Sequence, residues 1–300
     1  VVDVALERVK GATTLTRMAT GQQQGSRWGL RGTEDLGGGL SAGFVLESGF
    51  NADVGTLGQS GRLFGRQGYV SLSGGWGGLR LGRQYTPMDD IAGIVGTKTY
   101  DVLSVVPVIG NGDYNRVDNA ITYVSPSVAG TGFQLQYSLG EERAPTDASR
   151  QFARQVSAHA LHAQGPLTVG LSLMRVFDAD GVTAGQQSRD ALLLAASHDF
   201  GGLKLTGYVD IEDKAERKLK VFGAALARQW GNTTVSVGLA QAKDVNGSAA
   251  AASDDARLYT LQASHNLSKR TALYGHLTAV SNDTAAALGF NGPTAGSNSN

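Results

Sequence analysis

Apolar residues recur at every second position along most of this chain, a period that strands have and helices do not. Phe133, Leu135, Tyr137 and Leu139 alternate with Gln134, Gln136 and Ser138. Leu167, Val169, Leu171 and Leu173 alternate with Thr168, Gly170 and Ser172, and Val235, Val237 and Leu239 with Thr234, Ser236 and Gly238. Between 203 and 211, Leu203, Leu205, Val209 and Ile211 take one face, and Lys204, Thr206, Tyr208 and Asp210 the other. Each segment is about ten residues long with one apolar face. Only residues 87–112 leave room for a helix. The pattern gives about fifteen strands, starting near residues 1, 26, 40, 61, 78, 115, 132, 152, 166, 188, 203, 218, 232, 256 and 270.

The connections alternate in length. Short ones fall at Thr33–Gly39, Gly74–Gly77, Pro126–Thr131, Ala163–Pro166, Phe200–Gly202, Trp230–Asn232 and Asn266–Arg270. Long ones span 11–25, 50–60, 87–114, 141–151, 177–187, 244–255 and 283–300, with one short link, Asp213–Arg217, at a long position. That is an antiparallel up-and-down meander with one tidy end and one elaborate end. An open sheet of that size leaves unpaired edges that closure removes. A transmembrane barrel has this anatomy, with short turns on one side and long loops on the other. Two soluble β-sandwiches would show the same alternation, but no linker divides the chain and a sandwich gives no reason for long loops at one end. The expected fold is therefore an all-β, antiparallel up-and-down transmembrane barrel forming one domain over residues 1–300.

Composition narrows the function. The 26 Lys+Arg balance 26 Asp+Glu, so no global field attracts nucleic acid. Cysteine is absent, which removes disulfides, thiolate zinc sites and thiol nucleophiles. Mean hydropathy is −0.14, as expected where only alternate strand residues meet lipid. The longest charge-free stretch, Asn119–Gly140, contains a proline and several glycines and polar residues, so it is no spanning helix. No signal peptide stands at the start, so the chain is expected to be either mature or cytosolic.

Four motifs on successive hairpins then carry a resemblance: SRWGLRGTEDLGGGLSAGFVLE (Ser26–Glu47), FGRQGYVSLSGGWGGLRLGRQYTP (Phe64–Pro87), NRVDNAITYVSP (Asn115–Pro126) and LSKRTALY (Leu267–Tyr274). The chain resembles the general porins of the Gram-negative outer membrane, β-proteobacterial type, essentially end to end. The resemblance implies sixteen strands in the full protein and a homotrimer contacting outer-membrane lipid and lipopolysaccharide. It also implies passive diffusion of small hydrophilic solutes and ions, and a third long loop (87–114) folded into the barrel to constrict the pore. The family's first strand begins earlier, and its last, ending in an aromatic residue, has no counterpart in NGPTAGSNSN. The chain is thus expected to be part of a longer protein.

A pore selects by its width and by the charges on its narrowest ring. The third loop is apolar in its middle (Val102–Gly110), a liability for an exposed segment. By the family's pattern, an arginine from each of three motifs faces that loop: Arg27, Arg66 and Arg116. Parity agrees for two: Trp28 and Leu30 outward put Arg27 and Arg31 inside, and Val117, Ile121 and Tyr123 outward put Arg116 and Asp118 inside. A lipid-facing arginine costs about 2–4 kcal/mol at the midplane, which favours the lumen for each. On the loop side, enteric members carry a Pro-Glu-Phe-Gly-Gly-Asp segment. The matching stretch here runs Pro107–Asp113, with Val108 at the glutamate position and Ser104 near an earlier acid; Asp101 and Asp113 remain as candidate counter-charges. Fewer acids than arginines should favour anions. Three unit charges at ~7 Å in water give about 1.8 kcal/mol, roughly halved by screening, hence a several-fold preference.

Catalysis finds no support: there is no G-x-S-x-G or H-E-x-x-H, and His159 and His162, three apart on a strand, point to opposite faces. Gly37–Ala42 matches a dinucleotide pattern formally but reads as a hairpin turn. Asp113 in GNGDYN could touch calcium, although a plain turn explains it too, and no cofactor is expected. Against the porin stand a channel with a specific solute site, a secreted β-rich binding or adhesin domain and, last, an outer-membrane hydrolase.

Overall fold

The structure, a computed structural model, describes residues 1–11, 14–95, 115–140, 154–177, 188–214, 217–245, 254–284 and 286. Its strands are β1 (Val4–Lys10), β2 (Thr14–Thr20), β3 (Arg27–Gly37), β4 (Leu40–Asn51), β5 (Thr56–Leu57), β6 (Gln67–Gly74), β7 (Gly77–Tyr85), β8 (Arg116–Val124) and β9 (Thr131–Ser138). They continue as β10 (Gln155–Gln164), β11 (Leu167–Val176), β12 (Arg189–Asp199), β13 (Leu203–Lys214), β14 (Arg217–Trp230), β15 (Thr233–Lys243), β16 (Ala256–Asn266) and β17 (Ala272–Asn282). One α-helix of the described residues, α1 (Pro87–Val95), follows β7.

Every strand from β3 to β17 except β5 pairs antiparallel with its neighbours in chain order; with β5 added at the edge of β4, they form a 15-stranded sheet. The first two strands make a separate hairpin. Residues 11–25, expected to be a loop, contain β2, which runs back along β1 with Glu7 opposite Arg17 and their side chains paired at 2.6 Å. The reason is local: TLTRMAT alternates, and an adjacent complementary strand needs only a tight turn. The hairpin root meets both ends of the sheet. Val1 and Arg27 exchange backbone hydrogen bonds at 2.9 and 3.0 Å. The Asp3 carboxylate accepts from the Gln23 and Gln24 N–H groups and from the Tyr274 hydroxyl of β17. Asp3 thus draws the last described strand toward the first.

The two faces of the sheet are inverted relative to a water-soluble protein. Leu135, Val156, Leu171, Leu173, Val237 and Leu261 are exposed, while Gln136, Ser157, Ser172, Ser236 and Thr260, one position away on the same strands, are buried. The outer face is an apolar band and the inner face is polar, the arrangement of a barrel in lipid. Tight turns close the short end; Gly37, Gly38 and Gly39 all hold positive φ in the β3–β4 turn, so the glycine run serves a hairpin.

The inner apolar core is where α1 lies. Pro87 begins the helix with φ already fixed, the Thr86 hydroxyl accepts the Asp89 N–H at 3.2 Å, and Asp89 and Asp90 complement the positive helix end. Met88, Ile91, Ala92 and Val95 recur at i, i+3, i+4 and i+7 and are buried against β10–β13. Burying a side chain such as Ile91 contributes about 1.5–3 kcal/mol. Gly170 on β11 makes the seat: a Cβ there would stand 2.4 Å from Ile91 Cδ1.

Candidate functional site in the barrel lumen

Across the lumen from that seat, three arginines line up along β3, the entry to β6 and β8. Arg27 Nε lies 3.0 Å from Glu47 Oε1, and Arg66 Nε donates to the same oxygen at 3.1 Å. Gln67 Nε2 donates to the second Glu47 oxygen at 2.7 Å. Farther along, Arg66 and Arg116 each donate from Nη2 to the Tyr85 hydroxyl, and Arg116 Cζ stands 4.4 Å from the Tyr85 ring centroid. The sequence Arg27–Glu47–Arg66–Tyr85–Arg116 is therefore a continuous ladder.

Register builds it. The three-glycine turn sets Glu47 opposite Gly29, diagonal to Arg27, and in the next ladder opposite Gln67. Tyr85 is the direct cross-strand partner of Arg116. Arg66 fits because glycines surround it: a Cβ at Gly25 would stand 3.0 Å from its Nη1, and one at Gly49 3.1 Å from its Cδ. Sequence reasoning missed Glu47 and Tyr85. The signal for Glu47 was present in the hairpin register, because once the turn is placed its cross-strand neighbours follow.

The other sequence-derived residues separate. Arg31 is exposed, four positions along β3 from Arg27, about 13 Å by strand rise. It lines a recess with Tyr69, Ser71 and Arg80, where Arg80 stacks over Tyr69 at 5.5 Å, and it is not part of the ladder. Asp118, expected beside Arg116, instead pairs with Arg62 and Arg83, because a β-bulge opposite Arg83 shifts the register between Gly82 and Gln84 and breaks the parity of β8. Asp101, Ser104, Val108 and Asp113 lie outside the described residues.

The first turn of α1 carries two acids that sequence reasoning passed over, and the first of them, Asp89, faces Arg116 and Arg66 of the ladder. Asp89 accepts a hydrogen bond from Asn115 at 2.7 Å. Enclosure by protein pushes its carboxyl up to about 7, while the Arg116 and Arg66 guanidinium groups pull the other way. One side of Asp89 still meets lumen water, so it exchanges protons with solvent. Asp90 accepts from Gln134 at 2.7 Å and lies 3.7 Å from His159 Nδ1. Enclosure raises its carboxyl as well, against the pull of His159 and Arg80. His159 also touches the Pro87 carbonyl at 3.0 Å, so this histidine fixes the helix to the wall.

A rolled sheet with a polar interior, an apolar exterior and a charged girdle inside defines a membrane-spanning pore. The comparisons give that class its family. Residues 1–285 match the Gram-negative porin family model. Outer membrane porin protein 32 of Delftia acidovorans is 34% identical over 286 residues, covering 88% of this chain and 77% of the relative. An outer membrane porin protein of Bordetella pertussis is 37% identical over 200 residues, covering 63% of this chain and 52% of the relative. Among solved structures, the anion-selective porin from Comamonas acidovorans superposes with a TM-score of 0.81 at 30% identity, covering 96% of this chain and 89% of the other. The chain belongs to the Gram-negative porin family. Its place is the outer membrane, and its work is passive passage of small hydrophilic solutes through a water-filled barrel.

Proposed function

We propose that the channel prefers anions, with Arg27, Arg66 and Arg116 as the selecting wall. The observation that carries this is the ladder itself: it holds three guanidinium groups and one wall carboxylate, Glu47, which pairs with Arg27 and Arg66, while Arg116 bonds the neutral Tyr85 hydroxyl. Asp89, whose carboxyl rises to about 7, supplies only part of a counter-charge near neutral pH. An excess of fixed positive charge at a narrow ring concentrates anions and repels cations. The Comamonas acidovorans structure, itself titled an anion-selective porin, supports the same sign.

In this reading the third loop, 87–114, constricts the pore. α1 begins it inside the barrel, and Asp101, Ser104, Val108 and Asp113 belong to its remainder. Arg31 acts below the ring, as part of the basic lining that anions meet after it. We further read the functional unit as a homotrimer. The outward residues Trp28, Leu30, Phe44 and Val70 of the first strands, exposed in the single chain, offer an apolar contact face.

Single-channel recording in a planar bilayer under a KCl gradient tests the proposal. Current steps in threes with an anion-signed reversal potential are the expected result. A cation-signed potential from a channel that still conducts would discard the arginine wall while keeping the porin.

A further inference from the structure

Below the ladder, toward the short-turn end, the inner wall of β3, β4, β6 and β7 holds a recess of about 410 Å³, within the range of small-molecule sites. Much of its floor carries no side chain, because Gly43, Gly74, Gly77 and Gly78 line it. Gly43 keeps it open: a Cβ there would stand 3.0 Å from Ser71 Oγ and 3.7 Å from Thr33 Oγ1. Arg31 and Arg80 enter the recess from the two outer strands of the four, β3 and β7. Neither forms an ion pair among the described residues, whereas Arg27 and Arg66 have Glu47, and Arg62 and Arg83 have Asp118. Asp90 of α1 lies in the electrostatic field of Arg80, but Gln134 engages its carboxylate at 2.7 Å.

Register brings these groups to one face. Gly43 pairs with Thr33 on one side and Ser71 on the other, and Ser71 pairs with Arg80, so the four form one inward row. Arg31, Val45 and Tyr69 form the next inward row toward the ladder. The Arg80 guanidinium leans over the Tyr69 ring at 5.5 Å, which carries it one strand closer to Arg31. A stacked guanidinium keeps its in-plane N–H edge free, a planar fork that matches phosphate. Two cations without a counter-charge in one recess suit a dianion. The lining between them is hydroxylic. The Thr33 and Ser71 side chains make no hydrogen bond among the described residues, and Ser73 shares one with Ser41 at 2.9 Å. Hydroxyls that both donate and accept suit the hydroxyls of a sugar better than an apolar body.

We propose that this recess binds phosphorylated sugars, with the phosphate on Arg31 and Arg80 and the sugar hydroxyls on Thr33, Ser71 and Ser73. The proposal deepens the anion-preferring reading of the pore and rests on it. The ladder selects by charge, and the recess beyond it selects by what the charge is attached to. Inorganic phosphate meets the guanidinium groups but leaves the hydroxyl lining unused. A neutral sugar leaves both cations unpaired. A solute with both parts dwells in the channel, and its passage becomes saturable.

Current through the full-length porin in a planar bilayer tests this, with glucose 6-phosphate, inorganic phosphate and glucose each added to KCl at fixed ionic strength. Glucose 6-phosphate should interrupt the current in a saturable, concentration-dependent way. Inorganic phosphate should need about tenfold more for the same half-block, and glucose should not block. R31S and R80S should each raise the half-blocking concentration of glucose 6-phosphate about tenfold. R80K, which keeps the charge but loses the planar fork, should fall between R80S and wild type. G43V fills the floor without touching a charge and should raise the half-blocking concentration as R80S does; it carries the test if an arginine variant does not fold. Equal half-block by glucose 6-phosphate and inorganic phosphate would overturn the proposal, as would the absence of any block. Block that stays within twofold of wild type in R80S and G43V would overturn it too, and its loss in R66S alone would place the solute at the ladder instead. The KCl reversal potential of the same wild-type channels reports anion preference by itself, so a failure of the recess and a failure of the anion-preferring reading are told apart.

Discussion

The wall that carries the arginine ladder and the wall that carries α1 are built from the same antiparallel pairing but hold their contents differently. On the ladder wall, Arg27, Glu47, Arg66, Tyr85 and Arg116 are fixed by charge-assisted hydrogen bonds and ring stacking, with glycines clearing the space around them. On the helix wall, Met88, Ile91 and Ala92 are fully buried against β10–β13, and a glycine again clears the space. Water-facing charge can be held in register by directional bonds, whereas a helix crossing a lumen needs a dry seat. The pore therefore lies between a rigid polar wall and a packed apolar one, and the two should fail in different ways.

Loosening the dry seat should have the largest effect. Met88→Ala with Ile91→Ala removes two fully buried side chains, at about 2–5 kcal/mol each. The barrel should persist as a heat-modifiable band while single-channel conductance rises and its noise grows. An unchanged conductance would mean that α1 does not narrow the pore. Next comes the ladder: Arg66→Ser or Arg116→Ser should each lower the anion-to-cation permeability ratio by about 1.5- to 2-fold at 0.1 M salt, more at lower salt. Unchanged reversal potentials in both variants would remove the ladder from the selectivity argument.

Asp89 joins the two walls and gives a pH-dependent test. Burial pushes its carboxyl up to about 7 when folded, against about 3.9 for an aspartate in an unfolded chain. Between those limits the folded chain holds a proton that the unfolded chain has released, so Asp89 lowers stability as pH rises from about 4 through 7. Protonation also removes a negative charge facing Arg116, so anion preference should increase as pH falls from 8 to 6. Asp89→Asn should flatten that dependence and hold the ratio near its low-pH value. A reversal potential that shifts with pH as much in the variant as in wild type would place the titration elsewhere. Tyr85→Phe should have the smallest effect. It removes an acceptor shared by Arg66 and Arg116, costing about 0.5–1.5 kcal/mol of stability, read as a slightly lower temperature for loss of the heat-modifiable form, with selectivity retained.

Much of this was legible in the chain before any coordinates. The period of two set the strands, the alternation of short and long links set an up-and-down barrel, and exposed Leu171 beside buried Ser172 is what parity requires of a sheet in lipid. Three of the four motif arginines meet in the ladder because their hairpins are neighbours. The exceptions have physical causes. β2 escapes the strand pattern because its alternation, TLTRMAT, runs for only 7 residues and carries charged and hydroxyl side chains among few apolar ones. Asp118 went astray because a single bulge breaks the parity on which the reading depended.

What the sequence determined alone is everything that depends on neighbours a few residues apart: strand period, turn placement, helix cap and the sidedness of the barrel. The tertiary structure decided which distant residues meet. Glu47 reaches Arg66 across 19 positions, His159 reaches Pro87 across 72, and Tyr274 reaches Asp3 across 271. The opposed Lys220 and Lys243 likewise meet only through the register of β14 on β15. Register is a collective property of paired strands, because a one-residue slip exchanges every inward side chain for an outward one. No local stretch of chain carries that information.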